Sequence, residues 1–287
     1  MRLSMISAAI VAALVGYGST IALVLAAAVG ATEVQTASWV LAVSLAKAAG
    51  SALLSTWHRV PVVLAWSTPG AALVAATSGL DISKAVGAFV IAGLLIAATG
   101  LLRPLGRAVA LIPDSIAGGM LAGVLLPFVL KGAGAVEAAP ALVLPMIANF
   151  LMVRLRNPAM AVLASLCLGV ALAFLTGSAS WPALAIPLPQ LTFIQPSFDS
   201  ASLIGLAVPL YLVTMASQNL PGFATMRAAG FEPPVQSALG VTGGFSALSA
   251  LFGAHTTSMA AITAAICLGT DVDPNAKTRW KVGLAYA

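Results

Sequence analysis

The chain has 287 residues, of which 60% are hydrophobic and only 7% charged, whereas soluble domains carry about 25% charged residues; water cannot solvate such a surface, and a soluble globule is excluded. The net charge of +5 is spread over single Lys and Arg residues rather than gathered on one face, so a nucleic-acid partner is excluded as well. Cys167 and Cys267 sit in apolar runs with no second Cys or His at ligand spacing, so neither a disulfide nor a metal site is expected.

A mean hydropathy of +1.05 and repeated apolar runs near the length that crosses about 30 Å of hydrocarbon make this an all-α polytopic membrane protein. Arg2 followed by an apolar run ending in Ala26, Ala27 and Ala28 imitates a secretory signal, but the run exceeds the roughly 7–15 residues of such a region. The expected crossings, in chain order, are 4–28, 37–56, 60–78, 82–102, 113–132, 138–153, 158–176, 201–222, 235–252 and 255–268. The links are short except for 177–200, whose Trp181-Pro182, Pro187, Pro189 and Pro196 forbid helix and predict an extended loop between two halves.

With the N-terminus in the cytoplasm, the inner loops collect Arg2, Arg59, Arg103, Arg107, Arg154, Arg156, Arg227, Lys277, Arg279 and Lys281, and the outer loops only Lys84 and Lys131. This bias sets the orientation and supports the span assignment, since one wrong crossing would scramble every later loop. Seven crossings precede the long loop, so the eighth starts outside, and halves that are alike must be inverted repeats. Leu14-Val15-Gly16-Tyr17-Gly18-Ser19 of the first crossing aligns with Leu212-Val213-Thr214-Met215-Ala216-Ser217 of the eighth. The repeats are then 1–177 and 201–287, with 178–200 as the Pro-rich connection.

The third and tenth crossings are expected to be broken. Val60 to Trp66 is a β-branched run that meets Ser67-Thr68-Pro69-Gly70; Thr68 as N-cap with Pro69 at the first helical position predicts a helix starting inside the hydrocarbon. At about 13 Å for 69–77 it covers half the membrane. Gly253-Ala254-His255-Thr256-Thr257-Ser258 likewise places cap-forming hydroxyls before a short helix over 259–267. Half-helix N-termini with free N–H groups make an anion site without Lys or Arg.

Other polar residues within spans are candidates for the same cavity or for packing. Gln218 and Asn219, before Pro221-Gly222, reach a substrate or tie helices together. His255 suits a proton-coupled step or a structural hydrogen bond. Tyr17, flanked by Gly16 and Gly18, offers a ring to an aromatic substrate or packs. Lys47 lies mid-span and lines the cavity, pairs with a distant carboxylate or snorkels. Trp39, Trp57 and Trp181 read as interfacial anchors, and Asp114 and Lys131 as solvated span ends.

Three blocks, Pro61–Ala72, Leu212–Gly222 and Phe252–Thr256 with Ala260–Cys267, resemble the bacterial benzoate:proton symporter (BenE) family. The resemblance implies a nucleobase/anion-transporter-like fold of two inverted seven-segment repeats, with substrate between segments 1, 3, 8 and 10. Nucleobase relatives carry acidic residues in segments 8 and 10; Gln218 and Asn219 stand here instead, which favours an anionic substrate. A complete second repeat would extend to about residue 380, so segments 11–14 are expected to be absent and the second repeat incomplete.

The implied function is import of benzoate or a related aromatic carboxylate with protons across the bacterial inner membrane, with no cofactor. The lipid bilayer is the environment, and a homodimer is compatible with the class. Substrate-binding candidates are Tyr17, Ser67, Thr68, Gly70, Gln218, Asn219, His255, Thr256 and Thr257, with His255 as the proton-coupling candidate. Alternatives are a nucleobase or inorganic-anion transporter of this fold, an anion channel, or a non-functional fragment. No metalloprotease motif, paired intramembrane carboxylates or phosphate-binding loop favours an enzyme.

Overall fold

A computed structural model describes residues 2–27, 30–77, 81–102, 104, 126, 129–130, 132–156, 158–180 and 189–287. Most of the expected fifth crossing (113–132), with Asp114 and Lys131, lies outside them, as do Arg103, Arg107, Trp181, Pro182 and Pro187. The described elements are α1 (Leu3–Ala27), α2 (Glu33–His58), β1 (Leu64–Trp66), α3 (Thr68–Ala76), α4 (Ile82–Leu101), α5 (Pro140–Arg156), α6 (Pro158–Leu175), α7 (Ser200–Ala228), α8 (Val235–Ala250), β2 (Thr257–Met259), α9 (Ile262–Leu268) and α10 (Lys281–Tyr286). Among these residues α2, α4 and α7 are each long and apolar enough to cross a membrane as single helices.

Local chemistry sets several boundaries. Thr32 begins α2 with a reciprocal capping box: its side chain accepts from the Gln35 N–H, and the Gln35 side chain accepts from the Thr32 N–H. Arg59 ends the helix in the left-handed region at φ 56°. Asp81 caps α4 and Asp199 caps α7 through side-chain acceptance of backbone N–H groups. Within α7, π-type turns at Leu203–Ala207 and Met215–Asn219 each precede a proline, Pro209 and Pro221. A proline has no N–H to give the carbonyl one turn back, and the widened turn accommodates the loss.

Small residues bring α4 and α8 together. A side chain added at Gly93 would strike the Ala247 backbone, and one at Gly243 would strike the Ala97 backbone. Van der Waals packing at backbone distance replaces the hydrophobic drive that lipid removes. By contrast α5 buries no residue and packs along α6, which in turn touches α1. The described part of the long connection, 189–199, is neither helix nor strand. It is strapped to the helices by Thr192 N–H to Ser38 Oγ (2.8 Å), Ile194 N–H to the Leu251 carbonyl (2.8 Å) and Ser197 N–H to the Ser83 carbonyl (2.9 Å).

After α9 the chain folds back on the N-terminus. Ser4 donates to the Val272 carbonyl, Arg2 pairs with Asp273 at 3.5 Å, and Arg279 donates to the carbonyls of Asp273 and Leu268. The last bond puts a guanidinium on the final carbonyl of α9, where the helix dipole is negative. The Thr278 hydroxyl, the Asn275 N–H and the charges of Arg2 and Arg279 hold the Asp273 carboxyl below the usual carboxylate range.

A carboxyl lowered in the folded state stabilises above its unfolded pKa and loses that contribution as pH falls through the folded value. Asp273→Asn should therefore lower the melting temperature in detergent at neutral pH, and the gap to the parent should shrink below about pH 4; a gap that widens on acidification would contradict the assignment. Gly243→Val should cost about 1–3 kcal/mol by overpacking the α4–α8 contact, read as a lower melting temperature.

Candidate functional site

The third and tenth crossings are both broken, and the two breaks pair with each other. β1 and β2 run antiparallel with Leu64 opposite Met259, Ala65 opposite Ser258 and Trp66 opposite Thr257. Bonds from Ser67 N–H to the Thr256 carbonyl (2.9 Å) and from Ala260 N–H to the Val63 carbonyl (3.0 Å) continue the pairing. α3 and α9 leave from opposite ends of this pair, about 7 Å apart along it. The pair lies where two apolar clusters meet: Leu64 and Met259 belong to one, Trp66 and Ala254 to the other.

The caps differ from the sequence expectation. Ser67, not Thr68, is the N-cap of α3: it is extended at φ −74°, ψ 96°, and its Oγ accepts from the Gly70 N–H at 3.1 Å. Thr68 is already helical, with Pro69 at the second position. Helix α9 begins at Ile262 rather than 259, and Ala261 before it gives no side-chain cap. The hydroxyls expected to cap it are used elsewhere. Thr257 bonds Ser246 and the Thr242 carbonyl on α8, and the Ser258 hydroxyl donates to the Ala65 carbonyl.

A buried hydroxyl chain joins three elements. Thr214 of α7 donates to Ser67 Oγ at 2.9 Å and lies 2.9 Å from Thr256 Oγ1. Its one proton is committed to Ser67, so Thr256 is the donor to Thr214. Ser67 Oγ, accepting from Gly70 and Thr214, keeps its own proton as a donor. Thr214 was visible in the sequence only as part of the weak repeat; a hydroxyl one helical turn before Gln218 is its one signal.

The structure separates the other candidates. Asn219 is fully buried; it accepts from the Met259 N–H at 2.9 Å and turns its amide to Met215 Sδ, so it braces β2. Gly70 is packed closely on Leu210 and Ser67, whose side chains would have to shift to admit a Cβ there. Thr257 faces α8. Tyr17, Ala65, Thr68, Ser217 and Gln218 are half-buried around the strand pair. Tyr17 sits within an uninterrupted α1 and bonds Ser44 Oγ, while α1 touches both α3 and α9. The Ser217 hydroxyl is buried without a hydrogen-bond partner among the described residues.

His255 is fully buried. Its Nδ1 accepts from the Trp39 indole N–H at 2.9 Å, so in the neutral ring Nε2 carries the proton and donates to the Ser67 carbonyl, 3.1 Å away. The expectation for Trp39 is thereby corrected: it is 1% exposed and packs on Phe89 and His255, not at an interface. Trp57, 66% exposed, stacks on His58.

Lys47 neither snorkels nor meets a carboxylate among the described residues. It is 7% exposed, and its Nζ lies 4.0 Å from the ring centre of Tyr17, 5.2 Å from that of Trp66 and 5.4 Å from that of Tyr286. Tyr17 and Trp66 meet edge to face at 4.8 Å.

A family model described as "Benzoate membrane transport protein" (BenE) matches residues 1–287. The chain belongs to this family. It is 37% identical over 276 residues to "Inner membrane protein YdcO" of Escherichia coli, covering 95% of this chain and 71% of that protein. It is 32% identical over 249 residues to "Benzoate membrane transport protein" of Acinetobacter baylyi, covering 86% of this chain and 63% of the relative. Among solved structures, the transmembrane domain of the cyanobacterial bicarbonate transporter BicA superposes with a TM-score of 0.65 at 18% identity, over 100% of this chain and 81% of that one. At that identity the likeness is one of fold: a helical membrane-transporter fold. The family is one of transporters, not enzymes.

Ser67→Ala would remove the α3 cap and leave the Thr214 hydroxyl without its acceptor. We expect a loss of about 1–3 kcal/mol in unfolding free energy, and a smaller loss when Thr214→Val is added to it, because the two share one bond.

Proposed function

We propose that the chain imports benzoate or a related aromatic carboxylate together with protons, by alternating access across the bacterial inner membrane. The observation that supports this reading is the buried β1–β2 pair, from whose ends the short helices α3 and α9 depart. A backbone irregularity at that depth is tolerated where it borders a cavity or packed protein, and transporters of inverted-repeat design use such breaks to hold substrate. The name of the Acinetobacter baylyi relative supplies the substrate class.

In this reading Tyr17, Thr68 and Gln218 line the cavity, and the Ser67 hydroxyl and the Thr68 N–H at the start of α3 are donors to a carboxylate. Thr256 holds Ser67 in place through Thr214; Gly70, Asn219 and Thr257 keep the breaks in register. Residues 1–177 and 201–287 are inverted repeats joined by 178–200. Segments 1–4 and 8–10 form a core that moves against the remaining segments, with the N-terminus cytoplasmic as the Lys and Arg distribution supports. Two buried ionisable side chains near the breaks could take up the proton, His255 and Lys47. His255 can take one at Nδ1 only by giving up the Trp39 bond.

Labelled benzoate should accumulate in proteoliposomes under an imposed pH gradient (inside alkaline), and excess unlabelled benzoate should compete where uracil and sulfate do not. Competition by uracil or sulfate would favour the other carriers of this fold; flux that follows the gradient without accumulation would mark a channel.

A further inference from the structure

The least expected feature of the core is the amino group of Lys47, enclosed among the described residues by rings rather than by an acid. An isolated ammonium at mid-membrane costs several kcal/mol, and rings offer only part of what a counterion would. The cage adjoins the β1–β2 pair. Tyr17 of α1 is half-buried there, and Trp66, whose ring is 5.2 Å from Nζ, immediately precedes the Ser67 cap.

Among the described residues, the groups around the Lys47 amino group supply no negative charge. Tyr17 comes from α1, Trp66 from β1 and Tyr286 from α10; Lys281 opens α10, more than a turn before Tyr286. Cys267 lies in α9, and α8 carries no ionisable side chain. On α2 itself the other ionisable groups, Glu33 and His58, are at the helix ends.

We infer that Lys47 is the carboxylate partner and the proton carrier of this transporter, an inference that rests on the aromatic-carboxylate reading above. A carboxylate entering the cavity supplies the missing counterion, and its ring packs against Tyr17. Because ammonium and carboxylate stabilise each other in a low-dielectric site, the proton and the anion bind together. Without that counterion Nζ rests as the neutral amine, and its lone pair takes one proton from the outer solution as the carboxylate arrives. On the inner side the carboxylate leaves and Nζ returns that proton to water. The cargo is one anion and one proton, and the cycle moves no net charge.

The test has three arms on the purified full chain. Benzoate added to the parent in weakly buffered detergent solution at mildly alkaline pH, where free benzoate is ionised, should draw about one proton per bound benzoate from the medium. Lys47→Arg keeps the positive charge but cannot give up its proton; it should still bind and exchange benzoate while losing proton uptake and pH-driven accumulation. Lys47→Met should weaken benzoate binding at least about thirtyfold and leave binding of the neutral isostere benzamide within about twofold. Should Lys47→Met fail to fold, the first two arms decide. No proton uptake by the parent, or accumulation intact in Lys47→Arg, overturns the inference, as does loss of coupling in His255→Gln while Lys47→Arg keeps it. A parent that neither binds nor exchanges benzoate would sink the substrate reading itself, a separate result.

Discussion

A backbone that leaves helical geometry inside a bilayer must find partners for every N–H and C=O it frees, because lipid offers none. Residues 63–67 and 256–260 find many of theirs in each other, through the β1–β2 pair and the bonds that extend it. Side chains nearby satisfy more of the freed groups. Ser51 Oγ takes the Leu64 N–H, Ser55 Oγ bonds both the N–H and the carbonyl of Val62, and Asn219 takes the Met259 N–H. The burial of Ser51, Ser55 and Ser246 follows from this one constraint.

The same constraint explains what could be read in advance. Pro69-Gly70 after a β-branched run and the hydroxyl-rich stretch before 259 announce breaks because they are local signals, and the spans follow from hydropathy alone. The strand pairing was not legible: three-residue strands have no periodicity, and their partners lie almost two hundred residues apart. The choice of Ser67 over Thr68 as cap depends on where the chain leaves β1. Thr257 and Asn219 looked like ligands because polar atoms in a span are ambiguous until their partners are known. Their partners are the Thr242 carbonyl and the Ser246 hydroxyl for Thr257, and the Met259 N–H and the Met215 sulfur for Asn219.

Trp39 and Lys47 show a second kind of illegibility. Tryptophan near a span end defaults to the interface and lysine in a span to snorkelling, and both defaults fail here for reasons of tertiary packing. Trp39 turns inward to donate to His255, which fixes the imidazole tautomer and, through the Ser67 carbonyl, the start of α3. Lys47 is surrounded by rings from three separate elements, α1, β1 and α10. No window of sequence contains them together.

The pairing also limits how the molecule can move. Shearing β1 past β2 would break several buried backbone hydrogen bonds with no water to replace them, so the two broken segments behave as one body. That body is clasped by α7 through Thr214 and Asn219, by α2 through Ser51, Ser55 and Trp39, and by α8 through Ser246. The α4–α8 backbone contact adds α4 to it. Among the described residues, helices α5 and α6 share none of these bonds, and α5 is packed on little but α6. Among the described residues the compliant boundary therefore lies between α5–α6 and the rest, where apolar surfaces can slide without exposing a backbone group. Sliding at that boundary would leave the strand pair and its clasps intact.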